Sequence, residues 1–323
     1  MSVVAQPQVG RDIEERPPDD EGHASSHSRD QPTVWTYIVL LFVLSGMVIP
    51  LLWTLLTSFK YNVDVTLGWI PPRWTLKNYV GVIDAFSFAR YYVNTLFIAC
   101  TVTMIQVVTS VMAAYAFARL QFRGRDLLFL GYLATMMIPA DVLLIPQFVL
   151  MKKIPGVLNF ILGTDFFSGY LYFGEGYIGH PVGLDSFFAL IAPGCFSAYG
   201  TFMLRQFLLG ISHEIEEAAY IDGCGPVGVF RYVILPLAKP ALAALAIFTF
   251  LGRWRAFLWP LIMTDSDSMM VLSVGLQKLS DLYTNDYGLI CAGSVLMLVP
   301  MILVFVLCQR WFISGIQLGS VKG

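Results

Sequence analysis

The sequence predicts an all-α integral membrane protein of six transmembrane helices, and three observations carry that reading. Hydrophobic residues fill 57% of the 323 positions, charged residues only 13%, and mean hydropathy is +0.68; a soluble chain of this length carries about a quarter charged residues. The charges fall at intervals, leaving apolar runs long enough to cross ~30 Å of hydrocarbon as helix. Pro50, Pro139, Pro146, Pro193, Pro260 and Pro300 lie in or at the ends of these runs. Lipid cannot replace the hydrogen bond a proline removes, so such helices must bend against neighbours in a bundle.

Residues 1–33 stand apart, with seven acids, three arginines and few bulky apolar side chains. They cannot bury enough surface to offset the entropy of ordering, which predicts a disordered acidic tail. The tail lacks the basic start and apolar run of a cleavable signal, so the first apolar run is expected to be retained as an anchor. Residues 34–323 then form one membrane domain with spans at about 34–59, 91–118, 127–151, 186–204, 240–264 and 287–309. The third span contains Asp141 and the fifth contains Arg253 and Arg255. An even count puts both termini on one side, where lysines and arginines are also more numerous, and that side is therefore cytoplasmic. Trp35, Tyr37, Tyr91, Tyr92, Trp259 and Trp311 suit an interfacial aromatic belt. A net charge of −2 with no basic patch excludes a nucleic-acid binder. The five cysteines are scattered and read as small apolar fillers rather than a disulfide or metal framework.

Between the fourth and fifth spans lies EEAAYIDGCGPVGVFRYVILPLAKP, residues 216–240. It is too polar to cross a bilayer and too apolar for a loop that meets only water. Ser212 can cap a helix whose N-terminal end favours Glu214, Glu216 and Glu217. Ala218 and Ala219 allow close approach of another surface, Gly223 and Gly225 allow the chain to reverse, and Pro226 can start a second helix. Pro236 is expected to stop that helix. The outcome is a bent cytoplasmic hairpin, apolar towards the membrane and with its acids and alanines facing a soluble partner.

The spacing Glu217-Ala218-Ala219, Gly223, Val233, Leu235-Pro236, with Asp222 before the glycine, resembles the cytoplasmic signature loop of ATP-binding cassette importer permeases. AYAFARLQFRGRDLL (114–128), FLWPLI (257–262) and QRWFISGIQLGSVKG (309–323) are similar to stretches of the carbohydrate branch, in particular the smaller membrane subunit of maltose-type importers. The resemblance spans residues 34–323 and implies a permease in the cytoplasmic membrane of a bacterium or archaeon. It also implies a second related permease, two cytoplasmic ATPase subunits that hold ATP and Mg, an extracytoplasmic solute-binding protein and a carbohydrate cargo. Glu217, Ala218, Ala219, Asp222, Gly223, Leu235 and Pro236 would couple to the ATPase. The chain itself is then no enzyme, and it has neither a GxxxxGK[ST] loop nor a nucleophile–base constellation.

In the fifth span, FLGRWRAFLWP departs from the family, which usually carries Asn or an acid near Arg255. An arginine near the bilayer centre costs about 2.5–3.5 kcal/mol and tends to face a cavity or a partner. Two residues apart, Arg253 and Arg255 diverge by about 200° on a helix. One reading pairs an arginine with Asp141 or with the second permease; the other has it attract an acidic carbohydrate. Arg253, Trp254, Arg255, Asp141, Asn94 and Tyr199 are the candidate pathway residues. The outer loop 152–185, rich in Gly and aromatics, is either a binding-protein and sugar surface or a lid on the bundle. Amino acids or sugar phosphates are alternative cargoes. An ion-coupled secondary transporter would explain the intramembrane charges but not the Glu-Ala-Ala loop.

Overall fold

The computed structural model describes residues 34–173, 176–283 and 286–320, so the acidic tail and the last three residues lie outside the described residues. The chain divides into two units, 1–49 and 50–323. In the first, residues 34–49 are the helical opening of α1 (Val34–Ser58). The second continues through α2 (Lys77–Ala85), α3 (Phe88–Arg119), α4 (Arg125–Ala134) and α5 (Ala140–Leu162). A short hairpin follows, β1 (Leu171–Phe173) with β2 (Gly176–Gly179), then α6 (Phe187–Ile191), α7 (Ala198–Leu209) and α8 (His213–Ile221). α9 (Pro226–Gly228), a π-helical turn Val229–Ile234 and α10 (Leu235–Leu237) run on without a gap. The chain ends with α11 (Lys239–Trp254), α12 (Leu258–Met263), α13 (Leu272–Leu282) and α14 (Tyr287–Ser320).

α3 organises the second unit. Its buried positions, among them Tyr91, Asn94, Ile98, Val102, Gln106, Val111, Ala114 and Ala118, recur every three or four residues and form one stripe. That stripe packs on α7 and α11; α11 packs on α14, and α14 on α2. Its polar members are satisfied across helices: Gln106 Nε2 donates to Thr249 Oγ1 of α11 at 3.0 Å, a bond worth about 1 kcal/mol in lipid.

Four helices, Val34–Ser58, Phe88–Arg119, Phe187–Leu209 and Tyr287–Cys308, are each long and apolar enough to cross a membrane. Two bent pairs bring the number to six if each counts as one span. The expected third span, 127–151, is not continuous: α4 and its terminal turn meet α5 at 97°. Ile138, held extended (φ −82°, ψ 117°) because it precedes Pro139, makes the break. α5 then runs on to Leu162, through residues expected to begin the outer loop. The expected fifth span, 240–264, also breaks, between Trp254 and Leu258. Pro260 has no amide to offer Ala256, and the Ser273 hydroxyl of α13 donates to that carbonyl instead. Helices α2 and α13 were not foreseen. The β1–β2 hairpin departs from an all-helical chain and sits within the Gly- and aromatic-rich outer loop.

Candidate functional site

The 212–239 segment folds as a hairpin of two helical arms. Ser212 Oγ accepts from the Glu214 amide at 3.3 Å, opening α8. Gly223 closes it with φ +86°. The Gly223 amide donates to Tyr220 O and the Cys224 amide to Ala219 O, both at 3.0 Å, the paired pattern of a left-handed C-cap. Gly225 has ordinary extended geometry (φ −76°, ψ 171°), so the reversal belongs to Gly223 alone. Pro226 starts α9 as expected. Pro236 does not end the second arm. It lies in the first turn of α10, the preceding turn widens to π register, and the chain turns at Ala238 before entering α11 at 71°. With no N–H to donate, proline is tolerated at a helix start.

The hairpin is two-sided, but the sides are not divided as the sequence suggested. Ala219, Val229 and Ile234 are buried among Val111, Ala114, Tyr115 and Ala118 of α3, Leu204 and Leu208 of α7, and Ala241 and Leu245 of α11. Full burial of Val229 and Ile234 contributes about 1.5–3 kcal/mol each. Glu216 also faces inward, three residues before Ala219 on the same helix face, while Glu217, Ala218 and Asp222 remain exposed beside Ile215, Ile221 and Val227. Of the two adjacent acids and two adjacent alanines, one of each therefore serves the bundle and the other the surface.

Glu216 meets a residue of the 114–128 stretch that the sequence alone gives no specific role. Arg119, the last residue of α3, places Nε 2.7 Å from Glu216 Oε1, with the side chains 2% and 9% exposed. Its Nη2 donates to Leu208 O and Ile211 O at 2.7 Å, and Nη1 lies 2.9 Å from His213 Nε2. One guanidinium thus ties the end of α3, the end of α7 and the start of α8 into a single joint. An arginine fork meets carboxylate and carbonyls together in a way a lysine cannot.

The six pathway candidates separate. Trp254 is wholly buried, stacked on Phe250 and edge-on to Tyr92, with Nε1 donating to Met297 O. Asn94 is buried and donates to Ser268 O and Met270 O, both at 2.9 Å. Arg253 turns inward, against Gly194, and lines a small cavity with Thr95, Ile98, Trp259 and Pro260. Arg255, at the cap where α11 ends, is exposed, as are Tyr199 and Asp141. Among the described residues no ion pair joins Asp141 to either arginine, so that pairing is not made within this chain.

On the outer loop, Asp185 binds the β-hairpin to residues 264–266. Its Oδ1 accepts from the amides of Asp265 and Ser266 at 3.0 and 3.1 Å, and Oδ2 accepts from Tyr177 Oη at 2.9 Å. Burial works to raise its pKa, but the hydrogen bonds from Ser266, Asp265 and Tyr177 outweigh it and hold the carboxyl below its ordinary value. A depressed folded-state pKa stabilises fully above the unfolded value of about 3.9 and is lost as pH falls through the folded value. Protease resistance of the hairpin should therefore hold constant from pH 7 to pH 5 and fall only below about pH 4. Asp185→Ala should lower it at neutral pH by about 3 kcal/mol of local stability. Hydrogen exchange at Tyr177 and Asp265 reads both.

Among the described residues no group of three metal-ligating side chains occurs. Residues 106–317 match the family model described as binding-protein-dependent transport system inner membrane component. The chain is 33% identical over 288 residues (87% of this chain, 94% of the relative) to the arabinooligosaccharides transport system permease protein AraQ of Halalkalibacterium halodurans. It is 28% identical over 303 residues (93% and 91%) to the diacetylchitobiose uptake system permease protein NgcG of Streptomyces coelicolor. Its fold is similar to that of a chain in a bacterial ABC transporter involved in the import of the acidic polysaccharide alginate, with TM-score 0.70, 23% identity, and coverage of 86% of this chain and 95% of that one.

Proposed function

The chain belongs to the family of binding-protein-dependent transport system inner membrane components, and from that premise we propose that it is the permease subunit of an ATP-binding cassette importer of oligosaccharides. The cargo class is supported by relatedness over nearly the whole chain to permeases named for arabinooligosaccharide and diacetylchitobiose uptake. In this reading residues 34–323 are the membrane domain and cross six times, the bent α4–α5 pair serving as the third span and α11 with α12 as the fifth. The termini, the 1–33 tail and the 212–239 hairpin are cytoplasmic. A second, related permease stands alongside, two ATPases that bind ATP and Mg dock beneath, and a solute-binding protein delivers the sugar from outside.

The observation that carries the mechanism is the two-sided hairpin. Glu217, Ala218 and Asp222 offer an exposed face to an ATPase, whereas Ala219, Val229 and Ile234 lie in one core with α3, α7 and α11. Packed interfaces move as blocks rather than deform. ATPase closure would therefore carry the hairpin, and with it the ends of three helices, as one body. Gly223 sets the angle between the arms, Leu235 and Pro236 return the second arm to the bundle, and Glu217 meets a basic group on the ATPase. Arg253, Arg255, Tyr199 and Asp141 border the cargo route, and Trp254 and Asn94 hold its walls. An affinity-tagged chain should bring down both a soluble ATPase and a second permease. Glu217→Lys should cut ATPase recovery about tenfold, the loss of roughly 1.4 kcal/mol, and leave the second permease in place. Recovery of the chain alone, or full ATPase recovery with Glu217→Lys, refutes the assignment.

An acidic carbohydrate is the second reading of the cargo. It rests on Arg253, a cation inside a span with no ion pair to Asp141, since intramembrane arginines face cavities or partners.

A further inference from the structure

The outer loop carries a cleft that the coupling mechanism does not use. Tyr170, Tyr172, Tyr177, His180, Asp185 and Asp265 line it. Its frame is fixed by the Asp185 hydrogen bonds and by Gly179 (φ +131°), where a Cβ would stand 2.6 Å from Asp185 O. The rings are arranged around Tyr177: Tyr170 and Tyr172 meet it edge-on at 5.8 and 6.0 Å, and Tyr170 lies 4.7 Å from the His180 ring. Tyr170 and Tyr172 are each 64% exposed, far more than rings packed into a lid would be. His180 Nδ1 lies 2.9 Å from Gly169 O; a carbonyl only accepts, so Nδ1 carries a proton, and in the neutral ring Nε2 is the acceptor.

We propose that this cleft is a binding subsite for an uncharged sugar ring. Exposed tyrosine faces match the apolar C–H face of a pyranose or furanose. The Asp265 carboxylate and His180 Nε2 accept from its hydroxyls, and the tyrosine hydroxyls serve either way. The two carboxylates lining the cleft set its charge preference. Arg90, which reaches the hairpin, donates to Tyr177 O at 3.4 Å outside the lining, and no cation is among the lining residues. Like charges disfavour a uronate or sugar phosphate there. The cleft therefore selects the neutral class of the two cargo readings. This rests on the reading of the chain as a carbohydrate importer with the 152–185 loop outside.

The test is saturation-transfer NMR on the assembled transporter without its binding protein, using arabinotriose as the neutral probe and trigalacturonate as the acidic one. Arabinotriose should show saturable transfer from tyrosine protons. Trigalacturonate should bind at least about tenfold more weakly, a difference of roughly 1.4 kcal/mol. The Tyr170→Ala/Tyr172→Ala variant, which alters only exposed rings, should lose about tenfold in arabinotriose affinity. An unchanged sugar signal in that variant overturns the proposal. So does a tenfold rise in the binding-protein concentration needed to stimulate ATPase with the sugar signal intact, which would make the cleft a protein-docking surface. If no oligosaccharide, neutral or acidic, stimulates ATPase in the unmodified transporter with any loaded binding protein, the importer reading fails and the subsite fails with it.

Discussion

Glu216→Ala is expected to destabilise the permease by about 3–5 kcal/mol, the cost of leaving one member of a buried ion pair without its partner. Arg119 would keep its bonds to Leu208 O and Ile211 O, both at 2.7 Å, but its charge would face a cavity where the carboxylate had been. At the scale of this domain that is a fall of roughly 10 °C in melting midpoint. Glu217→Ala, one residue on and exposed, should change stability by less than about 0.5 kcal/mol and leave the midpoint nearly unmoved. Arg119→Lys separates charge from geometry. It keeps the cation but loses the fork that reaches α7 and α8 together, and should fall between the other two. Melting curves of the four proteins in one detergent decide the matter. Equal midpoints for Glu216→Ala and Glu217→Ala would mean that the joint carries no energy.

The contrast between those neighbouring glutamates marks the limit of what the sequence could say. Ser212, Gly223 and Pro226 were legible because each acts through its own backbone: a cap, a left-handed turn and a fixed φ need no distant partner. Which of Glu216 and Glu217 turns inward depends on Arg119, far earlier in the chain, and on the rotational phase at which α8 settles against α3 and α7. Composition alone could not supply that phase. The apolar runs were equally plain, but their breaks were not. Ile138–Pro139 turns a run that hydropathy reads as continuous, and Ser273 of an unforeseen helix takes up the carbonyl freed at Ala256. The β-hairpin escaped notice because glycine and aromatics describe many loops; what fixes this one is the Asp185 carboxylate, which gathers donors from two separate segments.

Gly223→Val is expected to abolish coupling while sparing insertion and assembly. At φ +86° a β-branched residue is a steric outlier, and the left-handed conformation costs an L-residue about 1–2 kcal/mol before branching is counted. The relief available is to abandon the cap, releasing the bonds to Tyr220 O and Ala219 O and reopening the angle between α8 and α9. The inner faces would remain anchored, α9 and the turn after it by Val229 and Ile234 and α8 by Ala219 and Glu216, so the misplacement falls on the exposed end of α8 at Asp222 and the turn that follows it. ATPase activity stimulated by sugar-loaded binding protein should fall more than about tenfold, the effect of a roughly 1.4 kcal/mol loss in productive docking, with the second permease still recovered. Gly223→Asn should retain most of the coupling, because asparagine tolerates the left-handed region. Gly225→Ala, at an ordinary φ and with open space around it, should retain all of it. Stimulated ATPase activity in membranes carrying each variant tests the order, and full stimulation of Gly223→Val would show that the bend transmits nothing.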